Sequence, residues 1–261
     1  MRVSCITLCT DFGLADPFVG IMKGVIAGIA PQARVIDISH QIPPQGVVEA
    51  GLCLKQSAPY FPAHTLHVCV VDPGVGSDRD IVLVRTPGAF FLAPDNGLLT
   101  YVLEGRRVLS ANLVTNPHYF LTTVSRTFHG RDIFAPVAAH LFRGVNPHLF
   151  GPNAPSLRYL PALPQVQWEE GTARGKVLAV DRFGNLISNI PESAFHRKTI
   201  SSVLCKGRVI PGLCSSYSAV EAGQLGALWE STGHLEIFTR NGNASNTLEA
   251  RLGDEIAVTF R

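Results

Sequence analysis

Apolar residues in the first half of the chain fall in short runs, separated by glycine-rich loops and by stretches with helical spacing. VSCITLCT ends at TDFG. FVGIMKGVIAGIA then carries apolar residues at three- and four-residue intervals until Pro31 and Gln32 close it. RVIDIS is predicted as a second strand, VVEAGLCLKQSAPYF as a second helix and LHVCVVD as a third strand. IVLVRT and AFFLAP follow as strands, then a short helix from Gly97 to Glu104. DIFAPVAAHLF, residues 132–142, is predicted as a helix with Asp132 as its N-cap and Pro136 in its first turn, where proline is tolerated. Short apolar strands alternating with helices predict an α/β fold, with a mainly parallel sheet flanked by helices.

After Gly144 the pattern changes. Residues 151–173 contain Pro152, Pro155, Pro161 and Pro164 and show little periodicity. KVLAVDRFGNLISNI, ISSVLCKGRVI, ALWESTGHLEIFTR and DEIAVTF are then short strands between Gly and Asn turns, with Gly184-Asn185 and Asn241-Gly242 as hairpin signals. The expected organisation is an N-terminal α/β domain over 1–160, a linker over 161–173 and a smaller C-terminal domain, a β-barrel or sandwich, over 174–261.

Composition narrows the function classes. Hydrophobic residues make up 46% of the chain and charged ones 16%, so disorder is not expected. The 22 basic and 20 acidic side chains leave a net charge of +2, with no basic stripe to follow a phosphate backbone, so nucleic acid is not an expected partner. The six cysteines, at 5, 9, 53, 69, 205 and 214, form no CxxC pair and read as buried thiols of a reducing compartment; no metal site is expected. The first apolar run stops at Asp11 without a small-residue cleavage site, and no segment has eighteen uninterrupted apolar residues. A cytoplasmic protein without membrane contact is the expectation.

Asp11 and Asp72 both end predicted strands, and in such sheets ligands collect at the carboxyl ends of the strands. Taken alone, Asp11 reads as a turn residue and Asp16, ahead of Pro17, as a helix cap. TDFG is also part of a protein-kinase signature, but no lysine strand or HRD motif accompanies it. Asp72 taken alone is a turn residue before Pro73, Arg79 a surface cation and His129 a loop imidazole. Together, a carboxylate, a guanidinium and an imidazole at strand ends supply the means to hold and polarise a water molecule.

TDFGLADPFVGIMKG, ISHQIPP, VVDPGVGSDR, APDNGLLT, FHGRDIFAP, DRFGN and the NGNA stretch occur in one order along nearly the whole chain. In that order the sequence resembles the S-adenosyl-L-methionine hydroxide adenosyltransferases, the hydrolases related to fluorinating and chlorinating enzymes that use the same substrate. The resemblance implies cleavage of S-adenosyl-L-methionine to adenosine and L-methionine by water or hydroxide attack on the ribose C5′, without a cofactor. It implies a C-terminal β-barrel domain, and a homotrimer with each site between the N-terminal domain of one subunit and the C-terminal domain of its neighbour. By the same matching, Asp72, Arg79 and His129 are the catalytic trio, Asp11 holds the ribose diol, and Asp16 and Asp181 hold the methionine ammonium. Phe183, Asn185 and Tyr217 fall in the adenine region, and Phe128, Ser231, Glu236, Asn243 and Ala244 on further substrate-binding positions. The halogenating relatives carry an aromatic residue where Asp72 stands, and the fluorinating ones a serine at Gly130. Thr232 stands where they have an arginine. Two other readings remain open: a non-catalytic adenosine or S-adenosyl-L-methionine binder, and a chloride-using adenosyltransferase.

Overall fold

The computed structural model describes residues 2–261; Met1, with which the expected N-terminal domain opens, lies outside the described residues. The chain divides into two compact units, one up to Pro161 and one from Ala162 to Arg261.

In the first unit the strands are β1 (Ile6–Thr10), β2 (Val35–Ser39), β3 (Thr65–Val70), β4 (Ile81–Arg85), β5 (Ala89–Pro94) and β6 (Ser110–Leu113). The helices are α1 (Phe18–Ile29), α2 (Val47–Ser57), α3 (Thr100–Leu103) and α4 (Ala135–Phe142). Among the described residues the six strands form one sheet in the order β2-β1-β3-β5-β4-β6. β2, β1, β3 and β5 run parallel, while β4 pairs antiparallel with both β5 and β6. The short β4–β5 connection explains the exception, because a tight hairpin reverses direction and a parallel neighbour needs a long crossover.

Strand alternation sends side chains to two separate cores. Ile6, Leu8, Leu66 and Val68 pack with Met22 and Ile26 of α1 and Val137 and Leu141 of α4. Cys9, Cys69, Val82 and Val84 pack on the opposite face with Ala50 and Leu54 of α2 and Val102 of α3. Both faces being covered, β1 and β3 are buried along their whole length, which is why they read as continuous apolar runs. His67 is a buried polar residue within β3: its Nδ1 lies 2.9 Å from Thr7 Oγ1, its ring stacks on Phe91, and burial pushes its pKa down to about 4.

Helix starts differ from the sequence-based expectation in two places. α1 begins at Phe18 with Pro17 as its N-cap and without a side-chain cap, and the Pro17 carbonyl accepts from Ile21 N–H. Asp16 lies one position too early to cap and is exposed. Asp132 does not cap a helix either, because a π-helical turn over Gly130–Phe134 runs directly into α4 and places Asp132 inside it. Its buried carboxylate accepts from Ser125 N–H at 2.8 Å and from Arg131 Nε at 2.6 Å. α3 covers only Thr100–Leu103 of the stretch predicted as helix.

The second unit comprises β7 (Gln167–Glu169), β8 (Thr172–Val180), β9 (Leu186–Pro191), β10 (Ile200–Cys205), β11 (Arg208–Pro211), β12 (Leu225–Trp229), β13 (His234–Thr239), α5 (Ala244–Leu248) and β14 (Glu255–Phe260). All its strand pairs are antiparallel, in the order β11-β10-β14-β8-β9-β13-β12, with β7 on β8. The end strands β11 and β12 come back into contact, and Cys214 N–H donates to Ala227 O at 2.7 Å, so the sheet is a near-closed barrel. Ala173, Leu186, Val203, Ile237 and Val258 fill its interior. Gly184-Asn185 does close a hairpin, between β8 and β9. Asn241-Gly242 instead leads into α5, because Asn243 Oδ1 accepts from Asn246 N–H at 2.8 Å and caps that helix. Among the described residues no helix is long and apolar enough to cross a membrane.

Candidate active site

β1 and β3 are parallel neighbours, so Asp11 after the end of β1 and Asp72 after the end of β3 emerge on the same edge of the sheet. Beyond Asp72 the chain turns through Pro73–Gly76 and returns Arg79 to it. Arg79 Nε donates to Asp72 Oδ1 and Oδ2 at 3.1 and 2.9 Å, and Nη2 donates to Oδ2 at 2.5 Å. The two side chains are only 9% and 4% exposed, a fork-on-carboxylate pair withdrawn from solvent. Asn96 of the APDNG motif steadies the approach by donating its amide to Val71 O at 2.9 Å.

The third member arrives from the other side. Asp132, gripping Ser125 N–H, ties down the loop that ends at His129, and His129 Nδ1 lies 2.7 Å from Arg79 Nη2. A guanidinium has only donors, so Nδ1 accepts, and the neutral ring carries its proton on Nε2. Burial and then the positive charge of Arg79 lower the His129 pKa, against the opposing pull of Asp72, Asp132 and a hydrogen bond with the Ser125 backbone. Gly76 permits the meeting of the two loops: it has φ +78°, and a Cβ there would overlap the Arg126 carbonyl oxygen.

These groups border a cleft of about 420 Å³ lined by Asp11, Phe12, Phe18, Gln45, Val70, Asp72, Pro73, Val75, Thr127, Phe128, His129 and Gly130. Asp72 and His129 reach its surface, whereas Arg79 stands behind them and joins them. Phe12, Phe18 and Phe128 pack edge to face, with ring centroids 5.1 to 6.0 Å apart, and form an apolar wall. Gly130 leaves this wall its space, since a Cβ would stand 3.1 Å from Met22 Sδ and 3.3 Å from the rings of Phe12 and Phe128. Asp11 Oδ2 accepts from Gln45 N–H at 2.8 Å. Asp16 lies outside the lining.

The second unit holds a further cluster. Asp181, Phe183, Asn185 and Tyr217 line a cleft of about 710 Å³ with Ser218, Phe238, Thr239, Arg240, Asn241 and Gly242. Asp181 Oδ1 accepts from Phe183 N–H and Asn185 N–H at 2.8 and 2.9 Å, which fixes the DRFGN turn and leaves the Phe183 ring 75% exposed. Behind Tyr217, Glu236 is buried; burial, then the negative charges of Asp181 and Glu230, push its pKa up to about 7 against a hydrogen bond from Tyr217. A carboxyl that retains its proton near neutrality offers a ligand a donor as well as an acceptor. Asn243 and buried Ala244 lie against the same turn, where a Cβ on Gly184 would overlap the Asn243 side chain. Ser231 sits apart, on the exposed β12–β13 loop organised by Glu230, which accepts from Thr232 N–H, Thr232 Oγ1 and His234 N–H. A further cavity of about 870 Å³, between Phe195, Lys198, Trp229 and His234, is lined by Thr232 but by none of the expected catalytic or substrate-binding residues. Among the described residues no group of three His, Cys, Asp or Glu side chains is placed to hold a metal ion.

Phe12, Phe18 and Gln45 escaped the sequence reading. Phe12 and Phe18 sit inside a quoted motif, but an aromatic residue beside a helix start reads as packing. Gln45 meets Asp11 through its backbone N–H, for which a sequence carries no side-chain signal.

Comparison with known proteins bears directly on this arrangement. Residues 6–151 match the SAM hydroxide adenosyltransferase N-terminal domain and residues 175–257 the corresponding C-terminal domain. An (R)-S-adenosyl-L-methionine hydrolase of Salinispora tropica is 37% identical over 258 residues, covering 97% of each chain. A fluorinase of Actinoplanes sp. is 24% identical over 289 residues, again covering 97% of each. The crystal structure of a conserved protein from Thermotoga maritima superposes with a TM-score of 0.90 at 36% identity, covering 97% of this chain and 99% of that one. With both domain matches and full-length relatives of this identity, the chain belongs to the SAM hydroxide adenosyltransferase family.

Proposed function

We propose that this enzyme hydrolyses (R)-S-adenosyl-L-methionine to adenosine and L-methionine by attack of water on the ribose C5′. The observation that carries the reading is the partly buried, hydrogen-bonded Asp72–Arg79–His129 assembly on the edge of a cleft that also holds Asp11, in a chain of this family. Attack of hydroxide on a sulfonium removes charge as the thioether departs, so a cleft with apolar walls that strips water from both partners favours it. The protein must hold the nucleophile about 3 to 3.5 Å from carbon, in line with the departing sulfur. Asp72 and His129 border the cleft and orient the water. Arg79 locks both, and in the tautomer that accepts from Arg79 the neutral His129 has no free lone pair with which to take a proton. Asp72 is then the group with lone pairs to receive the proton, and its negative charge disfavours a halide at the same place.

In this reading Asp11 holds the ribose hydroxyls beside the wall that includes Phe128. Asp16 and Asp181 hold the methionine ammonium, Phe183, Asn185 and Tyr217 the adenine, and Ser231, Glu236, Asn243 and Ala244 complete the ligand shell. The working form is a homotrimer in which the C-terminal unit of one subunit closes the N-terminal cleft of the next, in a cytoplasm where the thiols stay reduced. Support comes from the side chains left open beside each cleft: Leu14, Phe18 and Ile21 in one unit, Phe183 and Tyr217 in the other.

Incubation with the substrate in ¹⁸O-labelled water tests the chemistry. Label is expected in the 5′-hydroxyl of adenosine; 5′-chloro-5′-deoxyadenosine in chloride buffer would instead identify a halogenating enzyme, and intact bound substrate a binder. Sedimentation velocity tests the assembly, with a trimer expected. A fully active monomer is incompatible with a site completed by a neighbour.

A further inference from the structure

Thr10, the last residue of β1, is fully buried, and its Oγ1 lies 2.9 Å from Nδ1 of the buried His40. His40 Nε2 lies 3.0 Å from Asp37 Oδ1, and Asp37 Oδ2 accepts from Lys23 Nζ at 2.6 Å. Phe12 N–H donates to the same Thr10 hydroxyl at 3.2 Å, and Gly13 N–H donates to His40 O at 2.7 Å. His40 therefore holds the TDFG turn at both ends, through its side chain at Thr10 and its main chain at Gly13. Between those anchors lie Asp11 and Phe12, which line the first cleft.

The local fold is arranged to bring this about. The register of β1 against β2 slips between Leu8 and Cys9, which face Asp37 and Ser39, so β2 carries one extra residue. That bulge sets the residue after β2 beside Thr10. The chain of bonds also has a defined sense. The Asp37 carboxylate 3.0 Å away favours the tautomer with a proton on His40 Nε2, through an electrostatic contact rather than an aligned hydrogen bond; in that neutral ring Nδ1 accepts from the Thr10 hydroxyl, whose oxygen remains an acceptor for Phe12 N–H. A series of polar contacts in which each member has one usable orientation rigidifies what it holds.

We propose that Thr10 and His40, backed by Asp37 and Lys23, are positioning residues that aim the Asp11 carboxylate at the hydroxyls of the bound ribose. The inference rests on the reading of Asp11 given above, and a test on the diol separates the two. Calorimetric titration with adenosine and with 2′,3′-dideoxyadenosine measures what the hydroxyls contribute. The wild-type protein is expected to prefer adenosine by about tenfold or more, the effect of a hydrogen bond to a charged acceptor. Thr10→Val is expected to erase most of that preference while leaving affinity for the dideoxy compound within about twofold, and Thr10→Ser to restore it. A merely structural role would weaken both ligands together. Asp37→Asn, altering a side chain 38% exposed at the far end of the chain of bonds, is expected to lower the preference in the same direction and serves if Thr10→Val does not fold. A wild type indifferent to the hydroxyls overturns both the Asp11 reading and this inference. A wild type that discriminates while Thr10→Val, or Asp37→Asn in its place, discriminates equally overturns this inference alone.

Discussion

Replacing Asp72 by Asn is expected to lower turnover by about a hundredfold or more, in the range for losing a positioned base together with its electrostatic effect. The change is nearly isosteric but removes the charge that balances Arg79 and that, in the proposed reaction, receives the proton. Arg79 is 9% exposed, so it then keeps a largely desolvated charge with only an amide oxygen and His129 to meet it. The cost should fall on kcat rather than on ligand affinity. Adenosine formation at saturating substrate, together with calorimetric binding of adenosine, reads both. Turnover near the wild-type value would remove Asp72 from the chemistry. Arg79→Ala and His129→Ala are expected to cost about tenfold to a hundredfold each, with Arg79→Ala the more damaging because it releases two partners at once.

Gly76→Ala is the second large effect, and it acts without touching substrate. The added Cβ would overlap a backbone oxygen, Arg126 O, at a residue with φ +78°. No side-chain rotation relieves this, so the 72–79 turn must move away from the loop that carries His129, and the 2.7 Å contact between Arg79 and His129 opens. Backbone strain of this kind costs about 1 to 3 kcal/mol, and for a chain of this size each kcal/mol lowers Tm by about 2 to 4 °C. Turnover is expected to drop by about tenfold or more alongside that fall, as for a misplaced catalytic group. Gly88→Ala, in the β4–β5 turn with nothing within 4 Å of the new atom, is the control and should leave both quantities unchanged. Full activity in Gly76→Ala would show that the close approach of the two loops is not required.

Residue order alone carried the α/β organisation of the first unit, because burial on both faces leaves continuous apolar strands and amphipathic helices as a local record. It also carried the antiparallel second unit, through short strands punctuated by glycine and asparagine. The edge on which Asp11 and Asp72 emerge followed from the parallel strand pattern, and the motif order pointed to the family. Helix starts were less legible. Asp16 and Asp132 are both good capping residues by type, yet one is displaced by Pro17 and the other spends its carboxylate on the loop that leads into its own helix, choices made by the packing around each helix start.

Other features required the folded chain, since they depend on contacts between residues far apart in sequence. Arg79 reaching His129 across fifty residues, with the imidazole tautomer that contact dictates, is one. The ring wall of Phe12, Phe18 and Phe128 is another, and so is the His40 brace, which exists because a bulge in β2 shifts one residue of register. Periodicity and turn chemistry are written locally, so the sequence by itself determined the elements and the strand ends at which a site would form. Distances, tautomers and the space left by Gly76 and Gly130 arise only when separate loops pack together, and those the tertiary structure decided.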